Sequence, residues 1–127
     1  MRVIIAGSRN IGDMWALEAA IRQADFEITE VVSGRAAGVD TLGEIWADLN
    51  GIPKKLFAPD RKKHGWPKAA FVRNAQMADY ADALIAVWDG ESHGTKHMIE
   101  CARKKGLKVH VFLLDPIRYR PCDRGNS

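Results

Sequence analysis

The sequence predicts a three-layer α/β sandwich: a five-stranded parallel sheet, strand order 3-2-1-4-5, covered by helices on both faces. Three observations predict it. Short apolar runs alternate with amphipathic ones along most of the chain, the pattern of successive βαβ units. The runs Arg2 to Ala6 and Ala83 to Trp88 are almost uninterruptedly hydrophobic, as strands buried on both faces are. Glycine turns join strands to helices at Gly7-Ser8-Arg9, at Ser33 to Asp40 and at Asp89 to Thr95. Right-handed crossovers then set the sense of each connection.

The first strand, Arg2 to Ala6, ends at Gly7. Asp13 is placed to cap a helix from Met14 to Ala24, in which Leu17, Ile21 and Ala24 recur at helical spacing. Ile28 to Ser33 is the second strand. Val39 to Asn50 is the second helix, stopped by Asn50-Gly51 and held stopped by Ile52-Pro53. Lys54 to Ala58 is less apolar and suits a sheet edge. Pro59 to Pro67 reads as a polar loop, long beside the roughly two to six residues usual in such folds. Long loops of this kind tend to carry function. Lys68 to Tyr80 is the third helix, with Phe71, Ala75 and Ala78 expected inward. Ala83 to Trp88 is the central strand, Thr95 to Lys105 the fourth helix, closed by Gly106, and Lys108 to Leu114 the last strand.

Composition bounds the function classes. The 127 residues, 46% hydrophobic and 28% charged, suit a single globular domain over residues 1–114 with a tail at 115–127. No apolar run approaches the roughly 20 residues of a membrane span, and Met1-Arg2-Val3 leads straight into a strand. The expectation is a cytoplasmic protein with no membrane partner. Cys101 and Cys122 form neither a disulfide framework nor a metal-ligand spacing, and no metal or other cofactor is expected. Net charge is only +3, but Lys54, Lys55, Arg61, Lys62, Lys63, Lys68 and Arg73 cluster around the long loop. Such a patch suits an anionic ligand or, as the lesser expectation, nucleic acid. Arg103, Lys104, Lys105 and Lys108 read as solvated surface.

In a sheet of this order, ligands sit beyond the carboxyl ends of the strands, where strands 1 and 4 diverge. The three glycine turns follow strands 1, 2 and 4, so topology alone brings them together. Helix N-termini supply unpaired N–H groups and a positive dipole end, which suits a phosphate. The candidate binding residues are therefore Gly7, Ser8 and Arg9; Ser33, Gly34, Arg35, Gly38 and Asp40; Arg73 and Asn74; and Asp89, Gly94 and Thr95. Asp40 could orient a ribose hydroxyl or an arginine, or merely favour the first helical turn. His93 lies within the third turn. Trp66 could stack on a base or pin the loop. No G-x-G-x-x-G is present, and Gly38 to Gly43 fails as a P-loop because Glu44 stands where the lysine belongs. Dinucleotide dehydrogenases and P-loop NTPases are not supported.

Taken together, Gly7-Ser8-Arg9, the Ser-Gly-x-Ala-x-Gly-Val-Asp element at 33–40, Arg73-Asn74 with Met77, and Asp89-Gly90 through Gly94-Thr95 resemble the SLOG superfamily. This superfamily groups the DNA-processing protein DprA (Smf) with the Lonely Guy phosphoribohydrolases, and the chain is most similar to its small YspA-type branch. The resemblance spans residues 1–114. It implies a Rossmann-like fold, a nucleotide or ADP-ribose-like ligand, and a homo-oligomer. In the Lonely Guy enzymes an arginine and the glutamate of a P-G-G-x-G-T-x-x-E motif cleave an N-glycosidic bond. Arg73 matches the arginine and Gly94-Thr95 the glycine-threonine pair, but Met98 stands in place of the glutamate and Glu100 falls on another helix face. Asp89 and Glu91 are the candidate catalytic substitutes. Three functions follow in order: a nucleotide-binding sensor or sequestering module, an N-glycosidic hydrolase or transferase, and a DprA-like binder of single-stranded DNA.

Overall fold

In the computed structural model, described over residues 1–114, ten elements follow one another: β1 (Arg2–Gly7), α1 (Met14–Ala24), β2 (Glu30–Ser33), α2 (Val39–Leu49), β3 (Lys54–Leu56), α3 (Arg61–His64), α4 (Lys68–Tyr80), β4 (Ala83–Trp88), α5 (His93–Lys104) and β5 (Lys108–Leu113). The expected tail, including Cys122, lies outside the described residues. The strands form one parallel sheet in the order β3-β2-β1-β4-β5, as the sequence predicts. Register pairs Val3 with Val31, Ile5 with Ile85 and Gly7 with Val87, so the carboxyl ends of β1 and β4 finish side by side.

The alternation of side chains along each strand divides the core in two. Val3, Ile5, Val31, Ile85 and Val87 pack with α1 and α2 through Ala16, Leu17, Ala20, Val39 and Ala47. Ile4, Ala6, Val32, Leu84 and Ala86 pack on the other face against Met77, Ala78, Met98, Ile99 and Ala102 of α4 and α5. Leu17 is fully buried. Leu17→Ala is expected to cost about 3 kcal/mol, by lost transfer energy and the cavity it leaves, read as a lowered denaturant midpoint with unchanged slope. Among the described residues, no helix is long and apolar enough to cross a membrane.

Several expectations need correction. β2 begins at Glu30 rather than Ile28, because the chain first closes on the N-terminus: the Thr29 N–H donates to the Met1 carbonyl at 2.9 Å. Asp13 occupies the N-cap position of α1, but its side chain makes no capping bond. The 59–67 stretch is not all loop. It holds α3, whose Asp60 cap accepts from the Lys63 N–H at 3.1 Å. Helix α4 is rotated from the expected setting. Phe71 and Ala75 are exposed, and the inward face carries Ala69, Ala70, Arg73, Asn74, Met77 and Ala78. Two polar residues occupy that face because a cavity, not apolar core, lies against part of it.

Candidate functional site

The cavity has a volume of about 380 Å³ and opens where β1 and β4 end. Its walls come from five separate parts of the chain: Gly7 and Arg9 after β1, Ala36 and Asp40 at the start of α2, Trp66 and Pro67 before α4, Arg73 and Asn74 on α4, and Ser92 to Thr95 at the start of α5. Trp66, Pro67, Phe71, Met77 and Met98 supply its aromatic and apolar lining, and Arg9, Asp40, Arg73, Asn74, Ser92 and Thr95 its polar groups.

Local chemistry explains how this lining is held. The floor is stapled by Ser8, which is fully buried. Its N–H donates to the Val87 carbonyl at 3.1 Å, its carbonyl accepts from the Val39 N–H at 3.4 Å, and its hydroxyl accepts from the Asp89 N–H at 3.0 Å. β1, β4 and α2 are thereby joined at one residue. Gly38, with φ +76°, sits so close beneath this staple that a Cβ there would lie 2.5 Å from the Arg9 carbonyl oxygen. At Gly7 a Cβ would come within 2.7 Å of Val39 Cγ2. Both glycines are present because backbone passes backbone there.

Arg73 is the principal cation of the site. It is 8% exposed, donates through Nη1 to the Gly34 carbonyl, and donates through Nε to Asn74 Oδ1 at 3.0 Å. Among the described residues no carboxylate lies within ion-pair distance of it; the paired basic residues are Arg2, Arg35, Lys54 and Lys105. Burial pushes its pKa down from the ordinary value, the field of Asp40 opposes this, and Arg9 adds to it. Asn74 links Arg73 to α5: its Nδ2 donates to the Gly94 carbonyl at 3.4 Å and to His97 Nδ1 at 3.0 Å. His97 in turn packs at a tilt against Phe71, with ring centroids 4.5 Å apart, which gives that outward aromatic its partner. Burial lowers the His97 pKa, in keeping with a neutral ring that accepts from the amide.

Helix α5 presents its first turn to the cavity. Ser92 caps it, accepting from the Thr95 N–H at 3.5 Å, and the indole N–H of Trp88 fixes the turn by donating to the Ser92 carbonyl at 3.1 Å. The N–H groups of His93 and Gly94 have no acceptor among the described residues, so they remain open to an anion. Trp66 is 47% exposed at the mouth, with the guanidinium carbons of Arg61 and Arg9 at 4.2 and 5.7 Å from its ring centroid.

Other candidates surround the cavity without lining it. Ser33 donates its hydroxyl to Glu44 at 2.7 Å, and Arg35, at φ 63°, pairs with the same carboxylate at 2.7 Å. Gly34 backs the Arg73 guanidinium, 2.8 Å from where its Cβ would be. Asp89 Oδ1 accepts from the N–H groups of Glu91 and Ser92 at 2.8 and 2.9 Å. Burial works against its ionisation, but those N–H groups and the Ser8 hydroxyl outweigh it and hold the carboxyl below its usual range. Glu91 is exposed. Neither Asp89 nor Glu91 is among the residues facing the cavity. Glu44 and His97 organise the surroundings and were missed from sequence; each acts through a residue remote in the chain.

A family model described as the YspA, cpYpsA-related SLOG family matches residues 1–64, half of the chain. The chain belongs to this SLOG family. The matched half carries Gly7, Arg9, Gly38 and Asp40, while the α4 and α5 walls lie beyond it. A curated relative, the Gene 61 protein of Mycobacterium phage D29, is 33% identical to this SLOG chain over 121 residues, covering 87% of the chain and 95% of that protein. Among solved structures, the DNA processing protein A (DprA) of Streptococcus pneumoniae superposes with a TM-score of 0.69 at 18% identity, over 87% of this chain and 49% of DprA. The SLOG chain thus spans about half the length of that protein, and the likeness is one of fold.

Proposed function

We propose that the cavity binds a phosphorylated, nucleotide-derived ligand, of the nucleoside phosphate or ADP-ribose kind, in a sensing or sequestering role. The observation that carries this reading is Arg73, a buried guanidinium held by neutral acceptors with no carboxylate in ion-pair reach among the described residues. A buried cation without an anion is costly, and an entering phosphate relieves that cost. The open N–H groups of α5 and the exposed Arg9 add to the same attraction for an anion. Trp66 at the mouth supports a planar base rather than a bare phosphate. Membership of the SLOG family and the DprA-like fold fit a nucleotide-related or DNA-binding role.

Titration calorimetry against nucleoside monophosphates, ADP-ribose and NAD tests this, and absence of heat for all of them refutes it. The base-stacking component has its own test. Trp66→Ala is expected to weaken AMP or ADP-ribose binding roughly tenfold, the worth of one stacked base, while leaving inorganic pyrophosphate unaffected. Equal losses for both ligands would rule out base stacking on Trp66. Cleavage of an N-glycosidic bond is the second reading. It needs a carboxylate within reach of the reacting carbon, and the cavity offers Asp40 rather than Asp89 or Glu91. Free base released from nucleoside monophosphates would promote it over simple binding.

A further inference from the structure

Asp40 is the acidic counterpart of Arg73. It lies in the first turn of α2, 4% exposed, and faces the cavity. Its Oδ2 accepts from the Ala36 N–H at 3.3 Å, and the Gly7 N–H also favours its charge. Among the described residues no basic group stands within ion-pair distance of it, because the Arg73 guanidinium is turned onto Gly34 and Asn74. A buried carboxylate and a buried guanidinium thus line one cavity without an ion pair between them.

We propose that ligand capture here is proton-coupled: Asp40 takes up a proton as an anion enters, and its ionised form opposes entry. The proposal rests on the anion-binding reading above and adds how that site is regulated. A phosphate drawn to Arg73 neutralises the cation that stabilises the Asp40 carboxylate and sets a second negative charge in the same confined space. Two like charges in a low-dielectric cavity are resolved by protonating the weaker acid. The protonated carboxyl then has an O–H to offer the anion, where the carboxylate had none.

The groups that act on Asp40 come from every adjoining element. Burial is the largest influence; Arg73 from α4 and the N–H groups of Ala36 and Gly7 favour the charge, and Glu44 from α2 disfavours it. Arg9 and His93 line the same cavity. The outcome is a carboxyl raised to about 6 in the ligand-free protein, already within reach of physiological pH. A bound anion moves it higher. The linkage has a definite sign: affinity is greatest where Asp40 is protonated in the free protein and falls as pH rises through and beyond its titration.

The test uses ADP-ribose as the probe, because its pyrophosphate bears fixed charge and does not titrate in the range of interest. Calorimetry on the intact protein from about pH 5 to pH 8 is expected to show affinity falling at least tenfold as pH rises. At about pH 7, heats measured in two buffers of different ionisation enthalpy should report proton uptake approaching one per ligand. Asp40→Asn keeps an oxygen for the Ala36 N–H; it should bind more tightly at the upper end and lose the slope. His93→Gln should keep it. A flat wild-type profile with no proton uptake overturns the proposal while leaving the ligand reading intact. So does an Asp40→Asn profile as steep as the wild type's. Should the variant fail to fold, the proton counts of the wild type and of His93→Gln decide the matter together: uptake lost in His93→Gln overturns the proposal, and uptake retained supports it. If ADP-ribose, AMP and pyrophosphate all fail to bind at every pH, the ligand reading falls, and this proposal with it.

Discussion

Arg73→Gln is expected to reduce affinity for a phosphorylated ligand by about a hundredfold, or about 3 kcal/mol, the usual range for removing one member of a buried charge pair. The same change should leave the ligand-free protein nearly as stable as before. Removing the guanidinium costs two hydrogen bonds, to Gly34 and Asn74. It also relieves the desolvation of an unpaired cation, and these contributions oppose each other at a similar size of about 1 to 3 kcal/mol. The two effects separate in one experiment. Thermal unfolding with and without ADP-ribose should show a ligand-induced rise in Tm for the wild type that the variant lacks, over a similar ligand-free baseline. Arg73→Lys should fall between them, since an ammonium keeps the charge but not the forked grip on two acceptors. A variant with the full ligand-induced rise would show that Arg73 belongs to the fold alone.

The second large effect concerns stability. Gly38→Ala is expected to destabilise the protein by about 3 kcal/mol or more, enough to unfold much of it at moderate temperature. Two penalties add. The position has φ +76°, where an L side chain is strained, and the new Cβ would press on the backbone oxygens of Ser8 and Arg9. Backbone cannot swing aside as a flexible side chain can, so the α2 start must lift from the β1 turn. Gly94→Ala is the matched control. Its Cβ meets nothing within 4 Å, so the fold should tolerate it. Urea midpoints for both variants check the contrast, and equal midpoints would refute the account.

How far the sequence discloses this molecule depends on which physical signal each residue carries. Strand order and helix positions are legible because buried parallel strands are near-continuous apolar runs, and glycine and proline punctuate what lies between. Arg73 and Asn74 are legible as candidates through the family pattern, but their burial beside the cavity is not. Hydrophobic periodicity assigns Phe71 and Ala75 to the inner face of α4, since it assumes that every helix packs on apolar core. Here part of the inner face meets the cavity, and polar residues replace apolar ones along it. Helix α3 is invisible for a related reason: Arg61, Lys62, Lys63 and His64 have no apolar stripe, and the Asp60 cap is a weak sign by itself. Asp89 illustrates the opposite error. An acid at a strand end in the ligand crevice looks like a ligand group, yet its carboxylate closes its own turn through two N–H groups. Glu44 and His97 act through Ser33, Arg35 and Asn74, partnerships set by tertiary contact alone.

The Ser8 staple has a consequence for how a guest would be received. With β1, β4 and α2 tied through one residue, that side of the cavity is already assembled, and a guest bound there would have little disorder to freeze out. Trp66, half open to water and flanked by Arg9 and Arg61, has no such anchorage in the sheet. On the proposed reading, the pocket would then be strict about where a negative charge lands and tolerant about which ring follows it.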